Sequence, residues 1–290
     1  MRTFTAVVNP KAGGDASAAL LPVAAVLLDA GCAVATEYSR SMEHAKELAR
    51  AAAGRGDIVI AVGGDGMVGG IAGAIVAAGG VMGIVAAGRG NDFARQLGMP
   101  SPPHELGQLL LRAEPTPVDA IECNGTIVLG SVYVGIDSVA NRIANRSRFV
   151  PHRLVYQAAA LRSLIGWRPV RFDVDVDGEQ HEFRGYNVVA ANSGFYGNGL
   201  HIAPDASVDD GMLDIVAFEH MPKRRFANVM GEVTGGSHAD RPEVTVLRGR
   251  QVRIAADKDI PVYGDGEALA SLPVTVDLRP GALRLLRPRR

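Results

Sequence analysis

The chain has 290 residues, 30 of them basic and 31 acidic, for a formal net charge of −1. That length suits about two domains, and the charge balance excludes a surface built wholly to grip nucleic acid, which needs a basic footprint. A hydrophobic share of 47% with 21% charged residues excludes disorder as the dominant state. Thirty-five glycines are present and seventeen of them fall by residue 98, against a usual share of about 7%, so the first third of the chain has positions where backbones must approach closely. Cys32 and Cys123 lie far apart in apolar stretches and form neither a disulfide framework nor a metal clasp. The apolar run before Asn9-Pro10 is too short for a signal peptide, and the expected location is cytoplasmic.

In chain order, 4–9 reads as a strand, 16–30 as a helix, 32–38 as a strand, Met42 to Ala53 as a helix and 57–64 as a buried strand ending on glycines. A helix over Val68 to Ala78 and a strand over 81–88 follow. Residues 66–88 carry no charge, which on length alone suggests a membrane span. Eight glycines, with Gly79-Gly80 midway, make helix, turn and buried strand the better reading. Alternating strands and helices predict right-handed crossovers and a parallel sheet with ligands at the strand carboxyl ends. From about Pro117 the pattern changes to period-two runs with Gly or Asp-Gly turns, which predicts a mostly antiparallel sheet domain.

Residues 138–172 interrupt that pattern with seven arginines, among them Arg142, Arg162 and Arg168, and with no Asp or Glu. Apolar residues such as Leu161, Leu164, Ile165 and Trp167 are interleaved. The segment reads either as a surface meeting anionic lipid head groups or as a core-covering helix with solvated arginines. Trp167 and Tyr156 read as core or interface anchors. The seven histidines include no HExxH or i,i+4 pair for a catalytic zinc, and no G-x-S-x-G elbow is present.

Three glycine loops each follow a predicted strand: Asn9-Pro10-Lys11-Ala12-Gly13-Gly14, Gly63-Gly64-Asp65-Gly66, and Gly88-Arg89-Gly90-Asn91-Asp92. Taken singly, each is an ordinary strand-to-helix turn. Three at successive strand ends, two with an Asp, describe a phosphate site, and a carboxylate facing phosphates calls for Mg²⁺ between them, here at Asp65.

With these loops in view, the chain resembles the diacylglycerol kinase catalytic-domain family, the soluble lipid kinases that include sphingosine kinases. The matching stretches are 9–14, GGDG at 63–66, GNDFAR at 90–95, IAPDASVDDGMLDIV at 202–216 and YGDGE at 263–267. GGDG alone is shared with NAD kinases and, loosely, phosphofructokinases, whereas DDGMLD and GDGE are more specific to lipid kinases. The resemblance implies a phosphofructokinase/NAD kinase-like α/β domain over 1–119 and a mostly antiparallel β-sandwich-like lipid domain over 120–290, the last residues packing back on the first. It implies ATP held by Asn9, Pro10, Lys11, Ala12, Gly13, Ser39, Gly64, Asp65, Gly66, Met67, Val68, Gly69, Gly70 and Arg89. Asp65 and Asp92 would be the acidic pair near the phosphates and Glu267 the proton acceptor; a second Mg²⁺ would sit on Ser207, Asp210 and Met212. Asp-Gly-Glu in isolation is equally a hairpin turn.

The implied activity is phosphorylation of a diacylglycerol-like or sphingoid lipid at a membrane surface, with peripheral contact through 138–172, no nucleic acid partner, and a homodimer left open. Met67 stands where the family usually has Thr, and Arg89 takes the place of another Thr; both lost hydroxyls are phosphate or magnesium donors. A homologue that binds nucleotide and lipid with impaired chemistry is therefore the alternative.

Overall fold

Residues 4–8 and 59–63 are runs of five consecutive buried positions, as expected of parallel strands covered on both faces. In the computed structural model, which describes residues 2–10, 15–146 and 152–289 (backbone alone for 145, 146 and 152–157), these runs are the inner strands β1 (Thr3–Val8) and β3 (Ile58–Gly63). Between them in sequence come α1 (Ala16–Asp29), β2 (Ala33–Tyr38) and α2 (Met42–Gly54), and after them α3 (Asp65–Ala77), β4 (Val81–Ala86), α4 (Asp92–Gln96) and α5 (Pro103–Arg112). The spatial order β4-β3-β1-β2 is parallel throughout. Leu20, Val23 and Leu27 of α1 join Leu106 and Leu110 of α5 in the core on one face. Ala45 and Ala49 of α2 and Ile71 and Ile75 of α3 fill the other. Gly79, with φ +63°, turns the chain from α3 toward β4 as the Gly79-Gly80 reading anticipates.

The expected onset of the third helix at Val68 is three residues late. The helix begins at Asp65, so the GGDG carboxylate rides on its first turn. Helices α4 and α5 are further elements that the sequence reading does not contain.

The second half supplies β5 (Thr116–Cys123), β6 (Thr126–Val128), β7 (Ser131–Gly135), α6 (Ile136–Arg146), α7 (His152–Gly166), β8 (Val170–Val176) and β9 (Glu179–Ala191). It continues with β10 (Phe195–Tyr196), β11 (Leu200–His201), β12 (Leu213–Glu219), α8 (Lys223–Glu232), β13 (Val244–Gly249), β14 (Gln251–Ala256), β15 (Pro261–Gly264), β16 (Glu267–Ser271) and β17 (Val274–Leu285). Every pairing within this half is antiparallel. The inward residues of β7, β8, β9, β12, β14 and β15 form one core with Phe172, Tyr186 and Phe218 among its large buried side chains. The twelve-residue β17 joins the halves: Gln251–Ile254 of β14 pairs with its start, and its end, Arg284 and Leu285, runs parallel to Val81 and Met82 of β4.

Trp167 is a core anchor, buried at 8% exposure with its indole N–H donating to the Gly185 carbonyl at 3.2 Å. The side chain of Tyr156 lies outside the described residues. On α7, Ala159 and Ser163 face inward while Leu161 (60%) and Ile165 (69%) face solvent.

Candidate active site

The strand carboxyl ends line one edge of the parallel sheet. Asn9 and Pro10 leave β1 there, and Ser39 follows β2 with both its amide and its hydroxyl donating to the Val8 carbonyl. Lys11, Ala12 and Gly13 lie outside the described residues. The second and third glycine loops pack backbone against backbone: a β-carbon on Gly88 would lie 2.3 Å from the α-carbon of Gly64, so Gly88 tolerates no side chain. Asn91, with φ 52°, closes the third loop by accepting from the Gly88 amide (2.9 Å) and donating to the Gly88 carbonyl (3.1 Å).

Gly64 is the N-cap of α3 and no side chain caps it. The amides and positive dipole end of a 13-residue helix are thus presented to the cleft, an arrangement that suits phosphate. Met67 and Val68 are each 3% exposed, in the core between α3 and the sheet, so only their backbone faces the loop. Gly70 abuts Met42 at the start of α2. Arg89 is exposed and lines a cavity of about 530 Å³ between α1, α4 and α5.

Asp65, at this helix start, has Asp92 as one charged neighbour and Asp265 as another. Asp65 accepts from the Phe93 amide at 3.2 Å through Oδ1, while its Oδ2 and Oδ2 of Asp92 lie 3.0 and 3.3 Å from the point where a Gly90 β-carbon would stand. Asp92 accepts from the amides of Asn198 (2.8 Å) and Gly199 (2.7 Å), the tip of the β10–β11 hairpin. Burial, with Asp65 adding to it, raises the pKa of Asp92 against the pull of those amides.

The third carboxylate, Asp265, comes from the other half of the chain, in the β15–β16 turn. Asp265 (φ 47°) and Gly266 (φ 86°) both have positive φ, the signature of a type I′ hairpin turn. The Asp265 carboxylate accepts from the amides of Leu129 (2.9 Å), Gly130 (3.0 Å) and Ser131 (3.3 Å). Burial, opposed by those three amides and reinforced by Asp65, pushes it up to about 6. Stacking of Tyr263 on Tyr133, 6.1 Å between centroids, fixes the hairpin further. Glu267, the first residue past the turn, is exposed. The hairpin reading of Asp-Gly-Glu is the one seen in the backbone, and Glu267 follows it with an exposed side chain.

Asp65 has carboxylate neighbours on both sides, a concentration of negative charge that a cation would relieve. Among the described residues no three His, Cys, Asp or Glu side chains converge as a metal cage.

The side chains of Ser207 and Asp210, two of the three implied metal ligands, are engaged by neighbouring protein groups. Ser207 donates its hydroxyl to Asp209 (2.7 Å), Asp210 accepts from the Met212 amide (3.0 Å), and the other oxygen of Asp210 is paired with the guanidinium of Arg248. Asp119, absent from the sequence reading, braces the same segment by accepting from the amides of Gly211 (2.8 Å) and Gly281 (2.7 Å).

Residues 3–123 match the family described as diacylglycerol kinase catalytic domain, and residues 130–287 match the YegS C-terminal NAD kinase beta sandwich-like domain. A diacylglycerol kinase of Mycobacterium tuberculosis is 31% identical over 294 residues, covering 98% of this chain and 95% of that one. One from Bacillus subtilis is 24% identical, covering 75% and 73%. A crystal structure of a diacylglycerol kinase from Bacillus anthracis superposes with TM-score 0.76 at 20% identity, covering 99% of this chain and 97% of that one. The chain belongs to the diacylglycerol kinase catalytic-domain family. Its class is that of a lipid kinase.

Proposed function

We propose that the chain transfers the γ-phosphate of ATP to the hydroxyl of a diacylglycerol-like or sphingoid lipid at a membrane surface. The observation that carries this reading is the meeting of Asp65, on the uncapped start of α3, with the Asp265–Glu267 hairpin of the other half. Phosphates lie against the α3 amides and the small residues of the second and third loops, beside Asn9, Pro10 and Ser39. Mg²⁺, when bound with the nucleotide, neutralises phosphate oxygens, and Asp65 is the carboxylate that holds it.

Asp265 spends its hydrogen bonds on three backbone amides and so fixes the turn. Glu267, exposed two residues on, is left to orient the lipid hydroxyl and accept its proton. Asp92 draws the β10–β11 hairpin onto the third loop. The exposed apolar pair Leu161 and Ile165, flanked by exposed Arg162 and Arg168, supports contact with anionic lipid through α7. Among the described residues no helix is long and apolar enough to cross a membrane. A chemically impaired homologue stays the second reading, because the core-packed Met67 side chain offers no hydroxyl to phosphate or Mg²⁺.

The test is Glu267→Gln. Transfer to lipid is expected to fall by about 10²–10⁴-fold, while protection of the protein by ATP against heat stays as in the wild type. Wild-type turnover in Glu267→Gln would overturn the assignment.

A further inference from the structure

Residues 202–212 cross between the two halves. Val208 is fully buried in the core of the first half, with its carbonyl accepting from the Asp119 amide at 2.6 Å, whereas Leu213 just beyond starts β12 in the core of the second. The metal implied here by resemblance would hold this crossing through Ser207, Asp210 and Met212. Two arginines hold it instead. Arg248 of β13 pairs with Asp210 and lies 3.4 Å from Asp214, the buried cross-strand neighbour it faces in the β12–β13 register. Arg287, only 6% exposed just after β17, pairs with Asp209.

We propose that Arg248, assisted by Arg287, is the resident cation of this crossing, so that the segment is held without a divalent ion. A guanidinium is permanently charged and forks across two acceptors, which matches a group bridging Asp210 in the loop and Asp214 in the strand. A divalent ion on Asp210 would have to lie about 2 Å from its oxygen. There it would meet the Arg248 guanidinium on the same carboxylate, with like charges at contact distance. The Ser207 hydroxyl donates to Asp209, and the remaining Asp210 oxygen serves the Met212 amide.

The experiment is thermal unfolding of the full chain without nucleotide, in EDTA and then in millimolar Mg²⁺ or Ca²⁺, in an Asp65→Asn background that removes the metal expected at the nucleotide. The melting temperature is expected to be the same in both conditions. Arg248→Ala is expected to lower it by about 4 °C or more, since roughly 2–4 °C accompanies each kcal/mol in a chain of this size class; Arg248→Lys, which keeps the charge and loses the fork, is expected to fall between. A rise of several degrees with Mg²⁺ or Ca²⁺ that disappears when Asp210→Asn is added would overturn the proposal. So would an Arg248→Ala protein with the unfolding temperature of its parent in EDTA. These readouts use no activity, so a failure here is distinct from a failure of the kinase assignment.

Discussion

A carboxylate oxygen of Asp265 lies 2.9 Å from the point where a β-carbon on Gly69 would stand, so the hairpin that carries Glu267 rests directly on the helix that carries Asp65. Gly69→Ala tests that contact. The added methyl has to displace the Asp265 carboxylate against its three amide hydrogen bonds, and where that shift passes to the turn, a displacement of about 1 Å at a reacting centre costs on the order of 10²-fold in rate. Alanine is the better helix former by about 1 kcal/mol, which offsets strain in α3, so the unfolding temperature is expected to stay near that of the wild type. Wild-type kcat/KM in Gly69→Ala would contradict the contact.

The two halves also meet at Asp92, which is 7% exposed and accepts one amide on each oxygen. In Asp92→Asn one oxygen becomes an NH₂ group facing an N–H, leaving two donors opposed in a buried place. A loss of about 1–3 kcal/mol is expected, seen as a lower denaturant midpoint, together with reduced transfer as the β10–β11 hairpin loosens. An unchanged midpoint would mean that those hydrogen bonds contribute nothing net.

Asp214 makes the chain's stability depend on pH in a defined direction. Burial pushes its carboxyl up to about 6, helped by Asp210 and Asp205 and opposed by Arg248. In the unfolded chain it titrates near 3.9. Because the folded pKa is the higher one, the folded state binds the proton more tightly, and the resulting stability is fully present below about pH 4 and lost as pH rises through about 6. Wild-type stability minus that of Asp214→Asn is therefore expected to fall as pH is raised from about 4 to about 7. A difference that is flat, or that rises, across that window would show that burial does not dominate.

Much of the first half was legible in sequence because its inner strands are buried on both faces, as in the runs 4–8 and 59–63, the second of which ends on glycine. The start of α3 was misjudged because Gly66, Gly69 and Gly70 crowd its first turns, where propensity argues against a helix. Helix α5 had a readable signal in Leu106 and Leu110 at i,i+4 spacing after Pro103, and α8 had one in Phe226 and Val229; both are short and lie between stronger patterns. At the site, the loops at Asp65 and Asp92 stood out locally. Asp265 did not: its turn chemistry is visible in Asp-Gly, but its three amide partners at 129–131 lie more than 130 residues away. The same holds for Asp210, where the family resemblance implies a metal and the β12–β13 register brings Arg248 onto the carboxylate.

The central claim is that phosphate moves from ATP to a lipid hydroxyl at the Asp65 and Glu267 cleft. The most direct measurement is label transfer from γ-labelled ATP with Mg²⁺ into mixed micelles carrying diacylglycerol, sphingosine, ceramide or monoacylglycerol, with Asp65→Asn alongside. Label is expected in one of these lipids with the wild-type protein and none with Asp65→Asn. No label in any lipid, or equal label with Asp65→Asn, would contradict it.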